Sequence, residues 1–134
     1  MSDARKIHNW VFNTLHVPSD RVELLLDRDA TRQNIINRLG AIAKNDAIQK
    51  DDPILIYYAG HGAQQPAPQD LNWDSNIQMI LPWDYWQPRG TGHVDGIPDV
   101  LLGSLISRIS EAKGNNIVGI SACRSSECSC RFRW

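Results

Sequence analysis

His61 stands between two glycines, in Ala59-Gly60-His61-Gly62, and Cys123 stands among small polar residues, in Ser121-Ala122-Cys123-Arg124-Ser125. A histidine and a cysteine brought together can serve as base and nucleophile. A free thiol has a pKa near ~8.5 and is mostly protonated at neutral pH. An imidazole beside it takes the proton, or holds the thiolate as imidazolium. Acid–base assistance of this kind contributes roughly 10²–10⁴ in rate. Acyl transfer also needs donors aimed at a developing oxyanion, and the backbone N–H groups of Gly62 and Cys123 are candidates. Glycine at 60 and 62 permits close backbone approach to a substrate. His8, His16 and His93 have no such setting and read as structural. A lone cysteine is often only a small buried hydrophobe, so spacing alone leaves the roles of His61 and Cys123 open.

The two motifs follow two apolar runs. Pro53-Ile54-Leu55-Ile56-Tyr57-Tyr58 reads as a strand covered on both faces, as in a parallel sheet. Asn116-Ile117-Val118-Gly119-Ile120 is the last strand expected. Val22–Leu26 and Gln78–Pro82 are shorter strand candidates, and 63–76 reads as a polar, proline-bearing loop. Helical spacing links Ile7, Trp10, Val11 and Leu15, with Ser2 or Asp3 as cap. It recurs at Ile35, Ile36, Leu39 and Ile42 behind a Thr31 cap. A third helix carries Leu101, Leu102, Leu105, Ile106 and Ile109 and ends at Gly114. Helices alternating with strands predict an α/β fold with a mainly parallel sheet. In such sheets chemistry collects beyond the carboxyl ends of the strands, where His61 and Cys123 both fall.

Composition bounds the alternatives. The 134 residues suit one domain, and 42% hydrophobic with 22% charged residues suits a soluble globular one. A net charge of −1 gives no general attraction to nucleic acid or to an acidic membrane. No apolar run approaches the ~20 residues of a membrane span. The start, MSDARKIHNW, lacks the apolar stretch of a secretory signal, so a cytoplasmic location is expected. Cys123, Cys128 and Cys130 are odd in number and crowded at one end, which does not read as a disulfide framework. G-x-S-x-G, P-loop and G-x-G-x-x-G patterns are absent from the sequence, against a serine hydrolase, an NTPase or a dinucleotide enzyme.

The run Asp52-Pro53-Ile54-Leu55-Ile56-Tyr57-Tyr58-Ala59-Gly60-His61-Gly62 resembles the histidine motif of caspase-like cysteine peptidases, in particular fungal metacaspase-related proteins. Asp29-Ala30-Thr31-Arg32 is similar to the start of that family's second helix. Gln78-Met79-Ile80-Leu81-Pro82-Trp83-Asp84 is similar to its strand and turn after the histidine loop, and Gly96-Ile97-Pro98-Asp99 to the start of its third helix. The resemblance covers about residues 3–125, which sets a partial caspase-like domain of the large-subunit type at 1–125 and leaves 126–134 as a divergent tail. It implies a three-layer fold in which the sheet is flanked by helices. It also implies peptide-bond hydrolysis through a thioester acyl-enzyme. His61 would be the base, Cys123 the nucleophile, and Gly62 and Cys123 the oxyanion donors. The partner implied is a polypeptide substrate, and association with a homologous chain is a further expectation.

Departures from the family accompany the match. Its cysteine motif usually opens on an aspartate that helps bind a basic P1 side chain; here that position is Ser121, which loses a charge-assisted contact. Arg124 occupies the usual histidine position; it would add positive charge beside the thiol, though a solvated side chain is the simpler reading. By the resemblance the family's first strand and its small-subunit strands are absent, so exposed apolar edges and poor solubility are expected. The segment Glu127–Trp134 matches nothing in the family and is expected to be a mis-spliced or frameshifted end. A catalytically inactive fragment acting as a binding or regulatory module is therefore the rival reading. A redox module using Cys123, Cys128 and Cys130 is a third. Cys128 and Cys130 with His61 or His93 match no standard zinc spacing, so no metal is expected. Some relatives need calcium, but Asp70, Asp74, Asp84 and Asp95 form no EF-hand and read as loop carboxylates. Trp73, Trp83, Tyr85 and Trp86 crowd one segment; they could wall a substrate cleft, though cover for the sheet end is the simpler role.

Overall fold

The computed structural model describes residues 3–66 and 76–123. Among these residues the chain runs through helices α1 (Asp3–Asn13) and α2 (Arg32–Ile42), strands β1 (Ile54–Gly60), β2 (Gly62–Gln65), β3 (Ile77–Ile80), β4 (Pro88–Arg89), β5 (Gly92–His93) and β6 (Ile97–Pro98), helix α3 (Asp99–Lys113) and strand β7 (Ile117–Cys123). The class is α/β, as expected. β1 and β7 pair in parallel, from Ile54 opposite Ile117 to Gly60 opposite Cys123. The remaining ladders are antiparallel: β2–β3–β6 form one sheet and β4–β5 a hairpin.

The helix ends follow the residues expected to set them. The Thr31 side chain accepts the Asn34 N–H at 3.2 Å and caps α2. Gly114 ends α3 at φ +91°, which side chains disfavour. A β-carbon there would also meet the Asp51 carboxylate. α1 opens at Asp3 and ends before Leu15. α2 and α3 press Leu39, Leu102 and Leu105 against Ile80 and Ile97, and Ile56 and Tyr58 of β1 complete this core. Ile109 on α3 and Ile97 are fully enclosed.

Three expectations are corrected. Val22–Leu26 is not a strand. Val22 and Leu26 have extended dihedrals, but the segment joins no ladder among the described residues, and a strand is defined by its neighbour. β1 is not covered on both faces. Register puts Leu55, Tyr57, Val118 and Ile120 on one face, where Leu55 is 43%, Val118 54% and Ile120 47% exposed. Finally, 63–76 is not all loop, because β2 occupies 62–65 and pairs Gly62 with Ile80. No helix among the described residues is long and apolar enough to cross a membrane.

Candidate active site

The β1–β7 register brings the two sequence motifs together. Gly60 and Cys123 are direct partners at the carboxyl end of the parallel pair, and His61 is the next residue along. His61 is exposed, at the junction where the chain leaves β1 and starts β2. Its backbone is held from two sides. The Leu81 N–H donates to the His61 carbonyl at 2.9 Å. The Tyr58 hydroxyl lies 2.7 Å from the same oxygen and 3.0 Å from the Leu81 carbonyl, so its one proton is directed between two acceptors. The Tyr58 ring reaches that position by passing under Gly60. A β-carbon on Gly60 would meet the Tyr58 hydroxyl, and the ring carbon Cζ at 2.7 Å. Glycine at 60 is therefore a packing requirement of this brace.

Ladder alternation settles where the two oxyanion candidates point. In an antiparallel pair, residues opposite each other alternate between bonded and non-bonded pairs. The Leu81-to-His61 bond marks that pair as bonded, so Gly62 and Ile80 form the next, non-bonded pair. The Gly62 N–H thus turns away from β3. In the parallel ladder the Ile54 N–H donates to Asn116 O at 2.9 Å, which assigns Val118, Ile120 and Ala122 as the β7 residues bonding β1. The Cys123 N–H therefore turns away from β1. Neither donor is consumed by the ladder beside it, which an oxyanion role requires. Ser121 lies opposite Tyr58, half-buried, two residues before Cys123.

A cleft of about 490 Å³ opens beside His61. Asp27, Tyr58, Gly60, Trp83 and Tyr85 are among its walls. The turn bearing the aromatics is tied to the start of α2: the Trp83 N–H donates to Ala30 O at 2.9 Å, and the Arg32 N–H donates to the Asp84 carboxylate at 2.8 Å. Asp84, itself in the 83–86 turn, is thus also a helix-terminal acceptor, a role set by residues 52 positions apart. Trp83 is 46% exposed and lines the cleft, whereas Trp86 stacks on His93 at 4.7 Å on the β4–β5 side. His93 therefore has a structural partner, and the His8 ring lies 3.4 Å from the Asn9 side-chain oxygen. Sequence reading missed the Tyr58 brace and the Asp84 cap. The signal for the first was a tyrosine inside an apolar run, whose hydroxyl must find a partner once buried.

Among the described residues no three His, Cys, Asp or Glu side chains converge as a metal site. Asp70, Trp73, Asp74, Arg124, Cys128 and Cys130, and the tail after them, lie outside the described residues.

Comparison with known proteins agrees with the geometry. The family described as "Metacaspase, peptidase C14 domain" matches residues 1–125. Metacaspase-1 of Mycosarcoma maydis is 32% identical over 92 residues, covering 65% of this chain and 22% of the relative. Metacaspase-1 of Saccharomyces cerevisiae, in strains YJM789 and ATCC 204508 / S288c, is 29% identical over 114 residues, covering 78% of this chain and 25% of the relative. The chain thus spans about a quarter of the length of the curated relatives it matches. No solved structure matches.

Proposed function

Because the chain belongs to the metacaspase peptidase C14 family, we propose that it is a cysteine endopeptidase domain acting through His61 and Cys123. The observation that carries this reading is the register of the parallel pair: Gly60 opposite Cys123, with His61 one residue beyond. In the proposed reaction the Cys123 thiol loses its proton to His61. The thiolate attacks the scissile carbonyl carbon, and the tetrahedral oxyanion is met by the N–H groups of Gly62 and Cys123. His61 then protonates the leaving amine, which gives a thioester. Water, deprotonated by His61, hydrolyses that thioester and frees the thiol. The substrate is a polypeptide segment, and the cleft beside His61 is the natural place for a side chain next to the scissile bond. Ser121 in place of the usual acid removes one charged contact with a basic P1 residue.

A peptidyl acyloxymethyl ketone carrying Arg or Lys at P1 tests the assignment. We expect covalent labelling at Cys123 that disappears in His61→Ala. A folded chain that takes up no label would defeat the peptidase reading and favour the second one, a homologous fragment acting by binding. That second reading draws on the open apolar face of β1 and β7.

A further inference from the structure

The chain that follows β3 is tied at two points. At the first, the Leu81 N–H holds the His61 carbonyl at 2.9 Å, and the Leu81 carbonyl lies 3.0 Å from the Tyr58 hydroxyl. At the second, the Trp83 N–H donates to Ala30 O at 2.9 Å, and the Arg32 N–H donates to the Asp84 carboxylate at 2.8 Å. Pro82 lies between them, buried, and its ring fixes one of the few dihedrals through which the two points could move apart. Residues 81–84 are therefore a short, stiff link from the start of α2 to the backbone of His61.

The start of α2 uses two acceptors of different origin. A helix leaves its first N–H groups without intrahelical partners. Thr31 serves the Asn34 N–H from the helix's own end, at 3.2 Å. Asp84 serves the Arg32 N–H from 52 positions away. A carboxylate there is favoured twice, by the charge-assisted bond and by the positive end of the helix dipole. Both acceptors stabilise one helix end, but only Asp84 also fastens the link to it. Tyr58 and Leu81 hold His61 directly, and Asp84 holds what carries Leu81.

We propose that Asp84 is a positioning residue for His61: it locks the 81–84 link to α2, and the link sets the backbone from which the imidazole serves Cys123. The effect on rate rests on the peptidase reading, whereas the effect on the His61 backbone does not.

The test cuts the Arg32–Asp84 bond from either side in the full 134-residue chain. Asp84→Ala removes the acceptor. Arg32→Pro removes the donor at the first position of the helix, where proline is well accepted. Thr31 already has the extended ψ of 157° that a following proline requires. Arg32→Ala keeps the N–H and removes only the side chain, whose Nε reaches Gly96 O at 3.4 Å. Thr31→Ala weakens the same helix end without touching the link. Labelling of Cys123 by the Arg acyloxymethyl ketone should slow roughly tenfold in Asp84→Ala and Arg32→Pro, and less than about twofold in Arg32→Ala and Thr31→Ala. Amide exchange at Leu81, whose N–H is bound to His61, should quicken about tenfold in the two cut variants and not in the two controls. Asp84→Asn keeps an oxygen for the N–H and should recover part of both losses. Equal slowing in Thr31→Ala and Asp84→Ala would leave Asp84 with a role in stability alone and overturn the proposal, as would Leu81 exchange that is unchanged when the bond is cut. A parent labelled at Cys123, with both cut variants labelling at its rate, keeps the peptidase reading and defeats the positioning role. A parent that takes no label, in which cutting the bond still frees Leu81, defeats the peptidase reading and supports the hold on His61.

Discussion

Tyr58 couples two chain segments through one oxygen, and the position of His61 depends on it. Its hydroxyl is shared by the carbonyls of His61 and Leu81, while the Leu81 N–H holds the His61 carbonyl from the other side. Removing the hydroxyl leaves the second hold intact. Tyr58→Phe should therefore lower stability by only about 1 kcal/mol in a denaturant titration. Loosening the backbone that carries His61 should cost more in rate than in folding, roughly tenfold in the labelling of Cys123. Gly60→Ala acts on the same brace by crowding. Its β-carbon would meet the Tyr58 hydroxyl and Cζ, and such overpacking costs roughly 1–3 kcal/mol. If the clash is with the hydroxyl, the double variant should recover part of that loss, and a double-mutant cycle reads the coupling. Strict additivity would refute the brace. The glycines around His61 were legible in the sequence as a special backbone position. The tyrosine that makes Gly60 necessary was not, because Tyr58 reads only as one more apolar strand residue until its hydroxyl is placed in three dimensions.

At the scale of elements, what could be read was what depends on neighbours in sequence. Thr31 caps α2 and Gly114 ends α3, both visible from residue type and helical period. Thr31→Ala should cost about 1 kcal/mol and Thr31→Ser far less, since serine keeps the oxygen that accepts the Asn34 N–H. Gly114→Ala should cost roughly 1–3 kcal/mol, because at φ +91° and ψ 177° the backbone lies in a region that essentially only glycine adopts. Thermal melts of the three variants rank these effects, and equal losses for alanine and serine at 31 would refute the capping role. What could not be read depends on partners far along the chain. Val22–Leu26 has the composition of a strand and even extended dihedrals at both ends, but lacks a ladder. β2 was hidden because Gly62–Gln65 is polar and becomes a strand only through its pairing with Ile77–Ile80. The parallel partnership of Gly60 with Cys123 crosses 63 positions, and no local pattern encodes it. For the site, the sequence supplied two residues and the resemblance their roles, while the register supplied their proximity.

The whole molecule carries an imbalance between its two sheet faces. One face of β1 is sealed by α2 and α3, with Ile56 and Tyr58 packed on the core. The other presents Leu55, Val118 and Ile120, all more than two-fifths exposed, and Trp10, Phe12 and Leu15 of the α1 region add further exposed apolar surface. An open apolar face beside an unpaired strand edge is the arrangement that natural sheets blunt with charge or cover with another element. The chain expressed alone should therefore associate as its concentration rises, as the sequence leads one to expect. Val118→Lys and Ile120→Lys should reduce that association. Both side chains lie on the open face, so the loss of folding stability should stay within about 0.5 kcal/mol per site. Ile109→Ala is the matched control: it empties a fully enclosed position, should cost roughly 2–5 kcal/mol, and should make association worse by exposing more of the core. Light scattering across a concentration series, paired with melts of each variant, separates the two effects. A parent chain that stays monomeric at high concentration, unchanged by either lysine, would mean that the open face is already protected and that the imbalance has no consequence in solution.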